Sequence, residues 1–113
     1  MKRLTAMCLG LAVVLVPGVT RAAEGNPAAG KGKTSMCAGC HGIPGYKTAF
    51  PVTYSVPKLG GQHAAYIVKA LQGYRNGDRT HPSMRAVAAG LTDQDMADIA
   101  AYYASTAARS ASK

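Results

Sequence analysis

The chain is poor in the residues that fill a protein core and in acidic residues. It contains no Trp and one Phe, Phe50, among 113 residues, and five acidic side chains stand against thirteen Lys and Arg. A small domain with so few large apolar side chains buries little surface of its own. We therefore expect something apolar besides side chains to complete its interior. The chain also lacks a basic run interleaved with aromatic residues, which argues against nucleic-acid binding.

A convincing strand pattern is also missing. The one alternating segment, residues 52–56, is flanked by Pro51 and Pro57 and has no obvious partner, so we expect an extended loop there. A thioredoxin-like domain requires strands that alternate with helices. The sequence therefore predicts an all-helical chain with long loops.

The first 22 residues have the parts of a secretory signal peptide. A basic start is followed by the apolar run 4–16, and Pro17 and Gly18 precede a stretch of small residues. We expect cleavage after Ala22, with cleavage after Ala23 as the close alternative. An uncleaved anchor is the other interpretation, but the run is shorter than the roughly 18 unbroken apolar residues of a spanning helix.

Export sets the compartment and the charge of the mature protein. We expect residues 1–22 to be removed and residues 23–113 to form one periplasmic domain, with a flexible tail from about residue 106. Lipidation at Cys8 is not expected, because this cysteine comes too early to follow a complete apolar region.

Cleavage leaves ten basic residues and five acidic ones, a formal charge of +5. This charge suits an acidic redox partner or an anionic membrane surface.

The most specific pattern is Cys-Ala-Gly-Cys-His, with its functional side chains at Cys37, Cys40 and His41. Positions i, i+3 and i+4 share one face of a helix, so the three side chains can meet one ligand. This pattern is the attachment signature of c-type haem. A zinc site or a redox dithiol is the alternative, since both use Cys-x-x-Cys. Zinc would need further ligands, for which only His63 and His81 remain in the mature chain.

The second axial position on the iron decides what such a haem does. Met84 lies 43 residues beyond His41 in a predicted connection, which is enough chain to reach around the haem. It interrupts no apolar helical face, whereas the other mature methionines and His63 have simpler explanations. His81 is the rival ligand, and two histidines would lower the potential. We expect Met84 to be the ligand.

Two main helices are predicted before residue 78. The first is capped by Asn26, has Pro27 at its first position and runs into the haem motif. The second covers residues 62–74, where apolar residues recur at helical spacing, and Gly77 supplies its stop.

The third main helix has the clearest start in the sequence. Thr92 and Asp95 form a capping-box pattern in its weaker Asp form, and we expect the helix to fray after Ser105. Residues 78–90 are predicted to be a connection, with a helical turn at residues 85–89.

The sequence resembles class I c-type cytochromes in the order of its features: a first helix bearing Gly30, the haem motif, a Pro-x-Leu segment and a late methionine before a capped helix. Residues 57–66, 74–79 and 91–95, together with Met84, are similar to one lobe of the dihaem cytochrome c4 group and its monohaem relatives. The resemblance implies an all-α class I cytochrome c fold, with three main helices and long loops around one covalently bound haem c. It also implies that Gly30 lets the first helix cross closely against Tyr102 or Tyr103 of the last.

The resemblance further implies a role for each matching site residue. Cys37 and Cys40 would form the thioethers to haem, and His41 and Met84 would be the two iron ligands. The carbonyl of Pro57 would accept the remaining imidazole N–H of His41 and so fix the ring, as the groups behind metal ligands commonly do.

The loop of residues 43–56 is longer than the resemblance leads us to expect. It carries three aromatic side chains, at Tyr46, Phe50 and Tyr54. We expect them to cover a haem edge or to form a docking surface.

These features predict a carrier of single electrons that is not an enzyme. A six-coordinate iron changes oxidation state without exchanging ligands, and an apolar pocket limits solvent reorganisation. The alternatives are a haem-bearing subunit of a larger periplasmic oxidoreductase, and a haem sensor or enzyme with a labile distal ligand. We expect a monomer whose partners are redox proteins with acidic docking surfaces. Five basic residues flank the predicted haem elements and could orient such a partner: Lys47, Lys58, Arg75, Arg79 and Arg85.

Overall fold

A computed structural model describes residues 23–50 and 52–110, except the side chains of 107–110. The predicted signal peptide, residues 1–22, lies outside the described residues. No helix in the described part of the chain is long and apolar enough to cross a membrane. The described residues form five helices and one two-stranded sheet: α1 (Pro27–Gly32), α2 (Ser35–His41), β1 (Lys47–Thr48), β2 (Tyr54–Ser55), α3 (Ala64–Asn76), α4 (Pro82–Ala89) and α5 (Asp93–Ser110).

Helix α1 starts as predicted but ends early. The side chain of Asn26 accepts two backbone N–H bonds, at 2.9 and 3.2 Å, and Pro27 takes the first helical position. The prediction of one helix running into the haem motif is wrong, because the chain breaks at Thr34. The hydroxyl of Thr34 donates to the carbonyl of Lys31 at 2.9 Å, and this local bond competes with continuation of the helix. Helix α2 then begins anew at Ser35.

Helices α1 and α5 meet backbone to backbone. A methyl group at Gly30 would overlap the carbonyl oxygen of Asp98 and would lie 3.0 Å from Cβ of Tyr102. A methyl group at Gly25 would likewise overlap the carbonyl oxygen of Ala97. The expected close crossing at Gly30, near Tyr102, is therefore confirmed.

A polar cluster fastens this crossing. The carboxylate of Asp98, only 3% exposed, accepts from the backbone N–H of Asn26 at 2.8 Å, from Nζ of Lys33 at 2.7 Å and from Nε2 of Gln94 at 2.8 Å. Lys33 also pairs with Asp95 at 2.7 Å. We call these five residues the α1–α5 latch. The Asn26 N–H, followed by Lys33 and Gln94, lowers the pKa of Asp98 to about 2.

The helix boundaries of α3 and α5 follow local signals in the sequence. Helix α3 ends at Gly77, whose φ of +92° is the left-handed conformation that glycine adopts without strain. The capping box of α5 is confirmed, with Thr92 Oγ1 accepting from Asp95 N at 3.1 Å and Asp95 Oδ2 accepting from Thr92 N at 3.0 Å. Helix α5 continues to Ser110, five residues beyond Ser105, after which the sequence predicts fraying.

The central core joins α3, α4 and α5. Its buried members are Ile67, Leu71, Ala88, Met96 and Ala100. Six partly buried side chains pack against this cluster: Ala64, Val68, Tyr74, Met84, Leu91 and Tyr103.

Two predictions about the long connections are wrong. Residues 52–56 are not an unpaired loop, because β2 pairs antiparallel with β1 in the register Thr48 opposite Tyr54. Residues 78–90 contain more than one helical turn, since α4 runs from Pro82 to Ala89. Its cap is a side chain that is rarely used there, the imidazole of His81, whose Nδ1 accepts from Met84 N at 3.4 Å. Met84 consequently lies on a helix and not in a loop.

Candidate functional site

An apolar cavity of about 450 Å³ lies between α2, the β1–β2 hairpin, α3 and α4. Helix α2 contributes Cys37, Cys40 and His41 to its wall, and α4 contributes Met84. The structure thus brings together the four side chains that the sequence singled out. Apolar side chains line much of the remaining wall, among them Val56, Leu59, Ile67, Leu71, Val87 and Leu91.

Helix α2 supplies chemistry and little packing. None of its residues is buried by the protein, which is unusual for a helix inside a small domain. Cys37 is partly covered and Cys40 is exposed. Burial raises the pKa of the Cys37 thiol, against the effect of its hydrogen bond with Tyr103. Burial, reinforced by Cys37, in turn raises the pKa of Tyr103 to about 12.

The imidazole of His41 is held by one hydrogen bond. Its Nδ1 lies 2.7 Å from the carbonyl oxygen of Pro57. A carbonyl can only accept, so Nδ1 carries the proton and donates it, and Nε2 keeps a free lone pair. This is the protonation pattern that a metal-binding histidine requires.

Met84 and His81 both line the cavity, but their surroundings differ. Met84 is half-buried and packs against the central core. The Nδ1 of His81 accepts from Met84 N, so the neutral ring carries its proton on Nε2. Neither nitrogen of His81 then offers a free lone pair to a metal in the cavity. The ring of His81 also contacts the ring of Tyr54, with centroids 4.9 Å apart and planes at 56°.

The three aromatic side chains of the long loop take different positions. Tyr54 lines the cavity, the position expected of an aromatic side chain that covers a haem edge. Phe50 is 89% exposed and points away from the packed protein. The carbonyl of Tyr46 accepts from Val56 N at 3.0 Å, which closes the base of the hairpin. Sequence reasoning missed the contact of Tyr54 with His81, because residues 27 positions apart leave no local signal.

The basic residues also separate into groups. Lys58 and Arg79 line the cavity. The Arg79 guanidinium lies 5.0 Å from the ring centroid of Tyr74 and 5.9 Å from that of Tyr66, so it is held by cation–π contacts.

Two further basic residues lie away from the cavity wall. Arg75 forms a salt bridge with Asp93 at 2.7 Å, so an acidic side chain already lies beside it. Arg85 lines a separate, smaller groove beside Arg79. The docking role of the five basic side chains stays a prediction.

The residues of the cavity fit a haem. Two thiols three positions apart on one helix suit covalent attachment, and a histidine with a free Nε2 and a thioether are established axial donors. The apolar walls suit a flat, largely apolar ring. The cavity also accounts for the shortage of large side chains in the sequence.

Comparisons with known proteins agree with this donor set. The family model described as cytochrome c matches residues 27–107. Cytochrome c4 of Pseudomonas aeruginosa is 39% identical over 97 residues, which cover 84% of this chain and 46% of that protein. Cytochrome c-554(548) of Halomonas halodenitrificans is 43% identical over 84 residues, covering 72% of this chain and 96% of that protein. The chain thus spans about half the length of the cytochrome c4 relative.

A solved structure resembles the fold described above. The cytochrome c4 of Acidithiobacillus ferrooxidans superposes with a TM-score of 0.57 at 29% identity. The match covers 74% of this chain and 51% of that one.

Proposed function

This chain belongs to the cytochrome c family, and from that premise we propose that it carries single electrons between periplasmic redox proteins through one haem ligated by His41 and Met84. It is a class I c-type cytochrome of the cytochrome c4 group, with covalently bound haem c. The observation that supports the proposal is the apolar cavity to which the two cysteines, His41 and Met84 all contribute. Electron transfer without catalysis of its own is the function that suits a site in which His41 and Met84 would both ligate the iron.

The haem supplies one-electron iron chemistry when it is bound. The protein's part is attachment and orientation. Cys37 and Cys40 would hold the group through thioethers, and Nε2 of His41 would ligate the iron. The Pro57 carbonyl keeps the other nitrogen of that ring protonated and the ring in one orientation.

The geometry favours Met84 over His81 as the second ligand. A thioether has no proton to lose and no hydrogen bond to give up before it binds a metal. His81 would have to move its proton from Nε2 to Nδ1, or turn Nδ1 away from Met84 N, and either change removes the acceptor that caps α4. Met84 with His41 would give a higher potential than two histidines.

We also propose that residues 1–22 direct export and are removed, leaving a domain of residues 23–113 in the periplasm. The mass of the mature protein purified from the periplasmic fraction tests this directly. It should equal residues 23–113 plus one haem. A mass that includes residues 1–22 would contradict the proposed processing.

Absorption spectra of the holoprotein in both oxidation states test the ligand set. We expect a low-spin spectrum with the far-red charge-transfer band of methionine–iron bonding in the oxidised form. Met84→Ala should abolish that band and let the reduced protein bind carbon monoxide. Met36→Leu is the matched control, because it removes another methionine that lines the cavity, and it should leave the far-red band in place. If His81→Asn removes a low-spin spectrum that Met84→Ala preserves, the assignment of Met84 is wrong.

A second candidate function is that of a haem subunit in a larger oxidoreductase. One relative favours it by name, the cytochrome subunit of sulfide dehydrogenase of Chlorobaculum tepidum. A second relative, a thiosulfate dehydrogenase electron acceptor of Stutzerimonas stutzeri, is named only as the acceptor of an enzyme's electrons. Gel filtration of a periplasmic extract, followed by haem absorbance, separates the two functions. A free carrier elutes at the size of one domain, whereas a subunit elutes with its complex.

A further inference from the structure

One ring contact joins the β1–β2 hairpin to the start of helix α4. The rings of Tyr54 and His81 lie 4.9 Å apart in a tilted arrangement, and both side chains line the cavity. The His81 ring in turn accepts a hydrogen bond from the backbone N–H of Met84. The hairpin is thus two contacts away from the side chain proposed as the distal iron ligand.

Tyr54 is anchored well for a residue in a two-residue strand. It lies opposite Thr48 in the pairing of β1 with β2. The Thr48 hydroxyl accepts from Tyr54 N at 3.2 Å and lies 3.3 Å from the carbonyl oxygen of Val52. These side-chain bonds supplement the short ladder and hold the Tyr54 backbone in place.

The cap of α4 is an unusual choice with a structural reason. Ser, Thr, Asp and Asn are the preferred caps, and each could accept from Met84 N. None of them presents a ring to Tyr54. His81 makes both contacts at once, so the residue that caps α4 also ties it to the hairpin.

The N-terminal end of α4 has few other attachments. Pro82, Ser83 and Arg85 are exposed, and only Met84 of the first four residues is partly buried. The far end of the helix is fixed by Ala88, which is fully buried in the central core. The position of Met84 therefore depends on what holds the first turn.

We propose that Tyr54 and His81 act together as positioning residues that hold the first turn of α4, and with it Met84, at the cavity wall. The proposal rests on the assignment of Met84 as the distal ligand. Neither residue touches the iron in this scheme. Loosening their contact should make the bond between Met84 and the iron easier to displace.

Imidazole binding to the oxidised holoprotein measures this directly, because imidazole replaces the methionine on the iron and removes its far-red band. Tyr54→Ala should raise the imidazole affinity by about two- to tenfold, the range that corresponds to an aromatic pair. Tyr54→Phe keeps the ring and should stay within about twofold of the parent protein. Phe50→Ala is the matched control, since it removes an exposed ring from the same hairpin and should also have no effect. Tyr54→Leu can replace Tyr54→Ala if the latter does not retain haem, with the same expected direction.

The second arm tests whether the two residues act as one unit. His81→Asn keeps a capping oxygen for Met84 N but loses the ring, so it should match Tyr54→Ala. The double variant should show no further increase, because either change alone breaks the same contact. Additive increases would mean that the two residues act separately and would overturn the proposal.

The parent protein distinguishes the two possible failures. If its oxidised form lacks the methionine–iron band, the assignment of Met84 is wrong and the positioning role falls with it. If the band is present but Tyr54→Ala behaves like Phe50→Ala, only the positioning role is wrong. The double variant separates the positioning role from a general loss of stability, because two independent losses of stability would add and the loss of one shared contact would not.

Discussion

Two regions of this molecule are stabilised in contrasting ways, the α1–α5 crossing and the wall of the cavity. Helix α5 buries five consecutive residues, from Met96 to Ala100, whereas α2 buries none. The crossing closes with small residues and a polar latch, and needs nothing from outside the chain. The apolar side chains that line the cavity, by contrast, face the space inside it and not other side chains. The fold is therefore complete in one region and depends on haem in the other, where ligand binding adds to stability.

The largest expected effect comes from removing attachment in the cavity wall. The double substitution Cys37→Ser and Cys40→Ser should abolish covalent haem, so that none stays with the denatured chain on a gel. Hydrogen exchange should then accelerate much more in α2 and α4 than in α1, because α1 contributes no residue to the cavity wall. Met36→Leu, next to the motif, should retain haem. Equal loss of protection in both regions would contradict the division between them.

The next largest effect should come from the crossing itself. Gly30→Ala forces a methyl group into the Asp98 carbonyl and should lower the free energy of unfolding by about 3 kcal/mol, the upper part of the range for overpacking. Gly32→Ala is the matched control, because nothing lies within 4 Å of the added carbon. It should raise the free energy by about 0.5 kcal/mol through helix propensity. Denaturant unfolding of both holoproteins measures the difference, and equal effects would disprove the tight crossing.

A smaller effect is expected from the pH dependence of the latch. Asp98 has a pKa of about 2 in the folded protein against an ordinary value of 3.8. Its contribution is fully present above the ordinary pKa and is lost as pH falls through the folded value, so stability should decline between about pH 4 and about pH 2. Asp98→Asn should be less stable at neutral pH and should decline less in this window.

Asp78→Asn controls for the change in charge, because Asp78 is exposed and lies outside the latch. Circular dichroism during denaturant unfolding at several pH values provides the measurement. The same acid decline in Asp98→Asn and in the parent protein would show that the latch does not titrate as described.

The smallest effect should be found at the tip of the hairpin. Phe50→Ser should change the free energy of unfolding by less than about 0.5 kcal/mol, because this ring is exposed and does not line the cavity. Leu71→Ala, at a residue shared by the core and the cavity, should cost about 2–5 kcal/mol by comparison. Denaturant unfolding of both variants tests the contrast. A large loss at Phe50 would place the hairpin tip within the wall.

Local signals in the sequence predicted much of the crossing and part of the site. The Asn26 cap, the stop at Gly77 and the Thr92 capping box each depend on atoms within a few residues of one another. The haem motif was identified for the same reason, since a single helical turn presents its three side chains together. Each of these signals predicts its helix end or binding motif from a few neighbouring residues alone.

The wall was predicted less well because its contacts join distant residues. Strand β2 is two residues long, too short for an alternating pattern to show, and its partner lies beyond Pro51. Helix α4 was underestimated because its cap is a histidine, which is not among the usual capping residues. The salt bridge of Arg75 with Asp93 leaves no local signal either, because the two residues are 18 positions apart.

The latch also orders events during synthesis of the chain. The bond between Asn26 N and Asp98 joins residues 72 positions apart, so it cannot form until nearly the whole chain has emerged. The attachment cysteines emerge much earlier, and Cys37 meets Tyr103 only when α5 arrives. A chain that is still being made therefore presents both thiols on an open segment. The same helix, α5, thus closes the crossing through Asp98 and covers Cys37 through Tyr103, and it can do neither before it has been made.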